Sequence, residues 1–392
     1  MGKPAGVRWG ATPVFGGVEP GILRPPQHRR RWRWLASLLA ATGVGLGFTT
    51  PAIARIPPDH LGVWFTTVDS AVLTDPAEAE RALRFLSSNG IGRVAVPLLT
   101  GGSTTWPVEP WRNPMAVPLD PRIAGGSVAP LLTQLRSRGL RTIGWFEFGL
   151  MAPAGVTWLQ GREHLLLARR DGGTTWTESP GLERVWLNPA LAEVQDLLTA
   201  LVVDACRRLP LDAIQFDDHL GYPSDFGYDA ATLRRWRATD AGAADPTPDP
   251  QAPAWLAWRS RSVTDLLERI RTAMARECPG VKLSVAPNPQ AFSYRSYLAD
   301  WSDWVARDLV DEVVVQIYRW DRRGVAAELA DPSLEAARAR VPLRIGLLAG
   351  LRNQPKDPAS LQQELDLAHS FGFTGIDLFF YETARPHFPA TP

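Results

Sequence analysis

This sequence predicts an α/β fold, a (β/α)8 TIM barrel. Eight short apolar runs rich in β-branched residues recur along the 392 residues. Helical-looking stretches separate most of them, and eight strands alternating with helices is the count such a barrel requires. The connections that follow several runs are long, whereas those leading into them are short. In this fold every strand delivers its C-terminal end to one mouth, so the long connections mark the functional face.

The elements follow in order. The first run is Leu61–Val68. Asp75-Pro76 then caps and opens a helix to Asn89, and Gly90 closes it. The next runs are Arg93–Leu98, Arg141–Phe148 and Asp212–Asp218, then Lys282–Pro287, Glu312–Tyr318, Leu343–Ala349 and Thr374–Tyr381. "SSNG" precedes the second, "RSRG" the third, "CPG" the fifth and "SFG" the eighth, each a helix ending near Gly and feeding a strand. Long loops are expected after strands 2, 3 and 4. Leu99–Gly126 carries Trp106 and Trp111. Gly149–Pro189 carries Trp158, Trp176 and Trp186, and Leu220–Pro253 ends in "ADPTPDPQAP".

Composition is that of an ordinary globular chain, 45% hydrophobic and 21% charged. The net charge of +1 is unevenly placed. Residues 1–54 hold seven Lys/Arg and one acid, which leaves the remainder with 35 basic and 40 acidic residues. A mildly acidic body without a basic stripe argues against a nucleic-acid partner. Residues 1–54 read as an export signal with its n-region. His28–Arg33 is basic, Leu35–Phe48 is apolar and too short to span a bilayer comfortably, and Ala52-Ile53-Ala54 is an A-x-A cleavage site. An uncleaved anchor is the alternative. Residues 55–392 then form a single barrel domain, periplasmic or secreted, that meets the membrane only through the signal. Cys206 and Cys278 each fall near the end of a predicted helix, just before strands four and five. They are either two small buried side chains or, since export permits it, a disulfide between adjacent helices. With no CxxC or Cys/His cluster, neither metal nor cofactor is implied.

Five of the eight runs end in or just before a carboxylate: Asp69, Glu147, Asp217 with Asp218, Asp321 and Glu382. Acids converging on one mouth suit acid/base chemistry on a neutral polar substrate, for which sugars are the leading candidate. Strand four reads Asp212-Ala213-Ile214-Gln215-Phe216-Asp217-Asp218-His219. Strand residues alternate sides, so Ile214 and Phe216 face the helices while Gln215, Asp217 and His219 face the axis. A charge inside a barrel is costly unless functional or paired, so Asp217 is the strongest catalytic candidate and Asp218 belongs to the rim. On strand three, Ile143, Trp145 and Glu147 share the inward face. A carboxylate beside a Trp and near Asp217 has its pKa raised, as a general acid needs. Glu382, after strand eight, is the reserve for this second carboxylate. Asn288, Gln316 and Tyr318 bring amides and a phenol to the mouth. Thirteen Trp lie beyond residue 54. Aromatic faces stack on sugar rings, so Trp106, Trp111 and Trp176 in the long loops are candidates to line a groove.

The blocks "LGVWFTTVDSAVL", "WFEFGL", "VWLNP", "DAIQFDDHLGYP", "LSVAPNP", "WSDWVARDLVDEVVVQIYRW", "RIGLLAGLRNQP" and "GIDLFFYE" resemble those of the bacterial glycosyl hydrolase-like family 10 proteins. The resemblance covers about residues 59–385. It implies an exported barrel related to glycoside hydrolases, with members linked to peptidoglycan glycan strands. It singles out Glu147, Asp217, Asp218, Asn288, Gln316 and Tyr318 as positions inside matching blocks.

Two further comparisons narrow the chemistry. Many retaining barrel glycosidases place catalytic Glu residues after strands four and seven, but strand seven here reads "RIGLLAG" with no acid. Chitinase-like families carry D-x-x-D-x-D-x-E on strand four and a Tyr on strand six. This sequence is similar in Asp212, Asp217 and Tyr318 but has Gln215 and His219 in place of an Asp and the catalytic Glu. The expected function is hydrolysis of a cell-envelope glycan, peptidoglycan or exopolysaccharide, by Asp217 and Glu147, with Asp69, Trp145, Asp218, His219, Asn288, Gln316, Tyr318 and Glu382 contacting the polymer. The alternative is a glycan-binding envelope protein that has lost hydrolysis, which His219 and the acid-free strand seven favour.

Overall fold

A computed structural model describes residues 60–179, 181–351 and 354–388. The export signal expected over residues 1–54 lies outside the described residues. Eight parallel strands form the barrel: β1 Leu61–Trp64, β2 Arg93–Thr100, β3 Arg141–Phe146, β4 Ala213–Asp217, β5 Lys282–Ala286, β6 Glu312–Ile317, β7 Leu343–Leu348 and β8 Ile376–Phe379. Each strand pairs with its sequence neighbours, and β1 closes the ring by pairing with both β2 and β8. The predicted fold class holds, and seven of the eight predicted runs contain their strands, while β2 runs two residues past Leu98 to Thr100.

Alternation sorts the side chains as expected. Ile214 and Phe216 of β4 pack outward into the main apolar core with the helices. Trp64, Ala95, Ile143, Trp145, Ala213, Ala286 and Val314 form a separate cluster inside the barrel, with Phe379 against it. Toward the strand N-terminal ends the interior is ionic. Arg93 of β2 donates two hydrogen bonds to Glu312 of β6, at 2.7 and 2.8 Å. Arg344 of β7 donates to both oxygens of Asp377 of β8, at 2.8 and 2.9 Å, and Arg93 Nε lies 3.4 Å from the same carboxylate. Gly62 of β1 makes room for this network. A Cβ there would sit 1.8 Å from Asp377 Oδ1 and 2.5 Å from Arg93.

The helices carry the signals read from sequence. In α1, Pro76–Ser88, the Asp75 side chain accepts from Ala77 N and Pro stands in the first turn. The longest helices are α2, Ala192–Arg208, and α3, Pro253–Glu277, which follow β3 and β4. Cys206 near the end of α2 and Cys278 just after α3 form a disulfide, with Cα atoms 6.1 Å apart. Barrel helices run from the mouth back to the floor, so this bond staples two helix ends on the floor side. No helix among the described residues is long and apolar enough to cross a membrane.

Two of the three long loops stay at the mouth, and the β2 loop leaves it. After β2 the chain reverses, and Ser103–Thr104 pairs antiparallel with Leu99 and Thr100. It then descends along the outside of the barrel. Trp106 is buried there, donating Nε1–H to Asp204 of α2 at 2.7 Å. Further on, Glu109 pairs with Arg208 and Arg112 with Glu277, both at the floor-side helix ends. Trp106 is therefore a core residue, and the exposed Trp111, between Pro110 and Arg112, lies at the far end from the mouth. Neither lines a groove there, contrary to the expectation. The reversal after β2 is what removes them. The β3 loop builds a three-stranded antiparallel sheet from Met151–Pro153, Thr175–Ser179 and Leu182–Trp186. Trp176 in it packs partly buried against the main core, so its ring too is largely committed. The β4 loop packs Tyr228 and Trp236 against Trp255 in the first turn of α3, backed by buried Arg259 of the same helix.

Candidate active site

β4 ends at Asp217, and the chain turns at once into a short 3-10 segment, Asp218–Leu220. This turn decides the site. Asp217 points inward as alternation requires and is 6% exposed. Its Oδ1 accepts from His219 N and lies 2.9 Å from His219 Nδ1. Its Oδ2 accepts from Trp145 Nε1 of β3 at 3.1 Å. Asp217 thus also caps the turn, so the structural and catalytic readings describe one side chain.

Because the chain turns at Asp218, alternation stops there and the Asp218 side chain also swings into the mouth. Asn288 Nδ2 donates to it at 3.0 Å and Gln316 Nε2 at 3.3 Å, from the ends of β5 and β6. The expectation that Asp218 sits on the rim is corrected by this turn. Gln316 is fixed in turn by donating to Ala286 O at 2.5 Å. Tyr318, two residues on, stacks on Phe379 with ring centroids 5.0 Å apart.

Glu147 lies just past β3, next to β4 as expected. Thr100 at the end of β2 donates its hydroxyl to the Glu147 carboxylate. Burial pushes Glu147 up to about 7. The Thr100 hydrogen bond opposes this and the Asp217 charge adds to it. Burial also raises Asp217, to about 6, against the pull of His219. Burial disfavours the His219 cation, but Asp217 and Asp218 outweigh that and push the imidazole up to about 10. Near neutral pH the cluster therefore holds a proton shared toward Glu147, an ionised Asp217 and an imidazolium bonded to it. Tyr318 is held well above its usual range by burial and by Asp218 and Asp217, so it stays a neutral phenol.

His219 stacks against two rings, with centroids 6.1 Å from Phe148 and 6.0 Å from Trp186. The Arg184 guanidinium covers Phe148 at 5.2 Å, and its charge reaches Glu147. Thr100, Phe148, Trp186 and Arg184 are site-supporting residues that sequence reasoning missed. Only Thr100 left a signal, a hydroxyl directly after the apolar run of strand two. Arg184 and Trp186 come to the site through the β3-loop sheet, which carries no local motif, and Phe148 stands one residue past Glu147.

The remaining sequence candidates fall elsewhere. β8 stops at Phe379, and Tyr381–Ala384 is a helical turn. Glu382 on that turn is raised by burial, against a hydrogen bond with Ser70, and senses Arg385, Glu78 and Asp69. Asp69 and Glu382 thus form a group of their own near the start of α1. Asp321 caps the helix Arg322–Leu329 by accepting from Gly324 N at 2.9 Å. Among the described residues, Asp217, Asp218 and His219 offer ligand atoms within 4.8 Å of one another, a spacing that could hold a cation. Hydrogen bonds already occupy Asp217 Oδ1 and both Asp218 oxygens, which weighs against that use.

A closed eight-stranded barrel with paired acids at its mouth defines the class, a glycoside-hydrolase-type barrel. The family model for glycosyl hydrolase-like 10 matches residues 60–367, and the chain belongs to that family. Glycosyl hydrolase DigH of Escherichia coli K12 is 24% identical over 301 residues, covering 66% of this chain and 65% of that protein. This chain therefore matches somewhat less than two thirds of that relative's length. Among solved structures, the PgaB (BpsB) glycoside hydrolase domain from Bordetella bronchiseptica superposes with a TM-score of 0.60 at 14% identity, covering 85% of this chain and 96% of that one. The β-amylase catalytic domain from Paenibacillus polymyxa gives 0.58 at 11% identity, covering 86% and 96%. These two likenesses concern the fold.

Proposed function

We propose that this protein is a glycosidase that hydrolyses a cell-envelope glycan, peptidoglycan or exopolysaccharide. The observation that carries the reading is the pair on adjacent strands, Glu147 held by Thr100 and Asp217 held by Trp145 and His219. Burial raises both carboxylates, but His219 holds Asp217 at about 6, below Glu147 at about 7, so near neutral pH Glu147 keeps its proton more readily than Asp217, the division of labour that glycoside hydrolysis needs. Glu147 donates its proton to the leaving glycosidic oxygen. Asp217, kept ionised by the His219 imidazolium, either activates water or attacks the anomeric carbon. Asp218, Asn288, Gln316 and Tyr318 offer a carboxylate, two amides and a phenol to substrate hydroxyl or N-acetyl groups.

Export is part of the proposal. The basic, apolar and A-x-A order of residues 28–54 supports it, and the Cys206–Cys278 disulfide fits an oxidising compartment. Cleavage after Ala54 is expected. N-terminal sequencing of protein from the envelope fraction should begin at or near Arg55, and a full-length cytoplasmic chain would refute it.

One observation favours the rival reading, a glycan-binding protein without turnover. Three donors already occupy Asp217, and a carboxylate so engaged is a weakened nucleophile. The test is reducing-end release by purified protein from a panel that includes peptidoglycan and poly-N-acetylglucosamine. Release that Glu147→Gln abolishes supports hydrolysis. Saturable binding with no release by the native protein establishes the binding module instead.

A further inference from the structure

Among the described residues five large apolar side chains are exposed: Val68, Trp111, Phe292, Trp320 and Phe371. Trp111 and Phe371 lie at floor-side helix ends, the latter capping the C-terminus of Pro358–Ser370. Trp320 is the only exposed tryptophan of this group on the mouth face. It follows β6 by three residues and stands two after Tyr318 and four after Gln316, which bonds Asp218. The residue is 38% exposed.

The backbone that displays Trp320 is fixed on both sides. On one side, Lys356 Nζ donates to Arg319 O at 2.8 Å. The Arg319 side chain pairs with Glu328 at 2.5 Å. On the other, Asp321 caps the following helix. Lys356 is itself buried and ion-paired with buried Glu364, at 2.6 and 2.8 Å. Its three donors are thus spent on one carboxylate and on the carbonyl next to Trp320. A buried Lys–Glu pair is poor value for stability alone, since an apolar pair of similar volume often serves as well. The barrel chemistry does not use it either. Its evident effect is to hold the segment that presents an exposed indole on the mouth face, three residues past β6.

We propose that Trp320 is a stacking platform for a pyranose ring of the glycan, next to the bond-cleaving acids on the β5–β6 side, with Lys356–Glu364 as its rigid mount. This rests on the glycosidase reading above. An indole face suits the C–H face of a neutral sugar, and a platform held rigid in advance costs little ordering on binding.

The test is calorimetric titration of the Glu147→Gln protein, chosen to bind without turnover, with an N-acetylglucosamine hexasaccharide and with purified peptidoglycan strands. Adding Trp320→Ala should weaken binding about 10-fold, the loss expected of one aromatic stacking contact. Trp320→Phe should restore part of it, and Trp111→Ala, exposed at the far end, should change nothing. The pair Lys356→Met with Glu364→Leu should weaken binding while leaving the melting temperature near that of the parent. If the parent binds and Trp320→Ala binds equally well, the platform is refuted and the glycosidase reading stands. If Lys356→Met with Glu364→Leu binds like the parent, the mount is refuted. If the native protein cuts no glycan and the parent binds none, the reading and the platform fall together.

Discussion

Glu147 carries the sharpest residue-scale consequence. With Glu147 raised to about 7 and Asp217 to about 6, activity needs the first protonated and the second ionised. The pH–rate profile should be a narrow bell, falling below about 6 and above about 7, with the two limbs belonging to the coupled cluster. Glu147→Gln should lower kcat by at least about 10²-fold and remove the alkaline limb. The same shift has a stability sign. A carboxyl whose folded pKa lies above its ordinary 4.5 stabilises most at low pH, and that contribution is lost as pH rises through about 7. Glu147→Gln should therefore raise the melting temperature at pH 8 more than at pH 5. Thermal scans at the two pH values check this, and an equal shift at both would show that Glu147 is not held protonated.

Asp217 and Asp218 test the turn at the end of β4. Asp217→Asn removes the partner of an imidazolium and should cost at least about 10² in kcat. Asp218→Asn retains a side chain able to bond Asn288 and Gln316, so its effect should fall mainly on KM. Steady-state kinetics of the two variants decide it, and the reverse ranking would make Asp218 the essential acid.

At the scale of elements, the cysteines give a direct measurement. The disulfide joins residues 72 apart in sequence at the ends of α2 and α3. Closing a loop of that size restricts the unfolded chain, so Cys206→Ala with Cys278→Ala should cost about 2–4 kcal/mol in denaturant unfolding. Trp106→Phe belongs to the same scale. It keeps an aromatic ring but removes the shortest donor to the buried Asp204 carboxylate, which retains Arg208 at 3.2 Å and Glu109 N at 3.3 Å, so it should destabilise by about 1–3 kcal/mol without touching turnover. These elements also show what could be read from the chain. Strand positions, helix caps such as Asp75 and the inward face of β4 follow from periodicity and capping chemistry, which are local. The path of the β2 loop was not legible, because an antiparallel reversal at Ser103–Thr104 is set by tertiary pairing. The swing of Asp218 was missed for the same kind of reason: alternation rules end where the strand ends. The exposed Trp320 was hidden among thirteen Trp that composition alone cannot sort.

At the scale of the whole molecule, the barrel is braced by charge. Arg93 and Arg344 meet Glu312 and Asp377 inside it, linking β2, β6, β7 and β8, two cations against two anions. Gln215 connects this floor to the middle layer, accepting from Trp64 Nε1 at 2.9 Å and donating to Ser284 at 3.0 Å, which donates to Glu312 at 2.9 Å. A hydrogen-bonded chain thus runs from the ionic floor to strand β4, whose last residue is Asp217. Burial of Glu312 opposes its charge, but Arg93 outweighs that and holds it down to about 2. A carboxyl depressed in this way contributes stability that is present above its ordinary 4.5 and lost as pH falls toward 2. Glu312→Gln deletes one anion and leaves the buried Arg93 with Asp377, at 3.4 Å, as its remaining ion-pair partner. It should destabilise by about 3–5 kcal/mol at pH 7, the loss expected when one partner of a buried pair is removed. Against the native protein, that difference should shrink as pH is lowered from 5 to 3, because the unfolded native chain takes up a proton at this carboxyl below its ordinary 4.5 while the folded one, at about 2, stays ionised. Urea unfolding at pH 7, 5 and 3 measures it. Arg93→Met combined with Glu312→Leu should cost much less than the sum of the single changes, since no charge is then left unpaired by that deletion. If Glu312→Gln is neutral at pH 7, the network fills space rather than bracing the strands that aim Asp217.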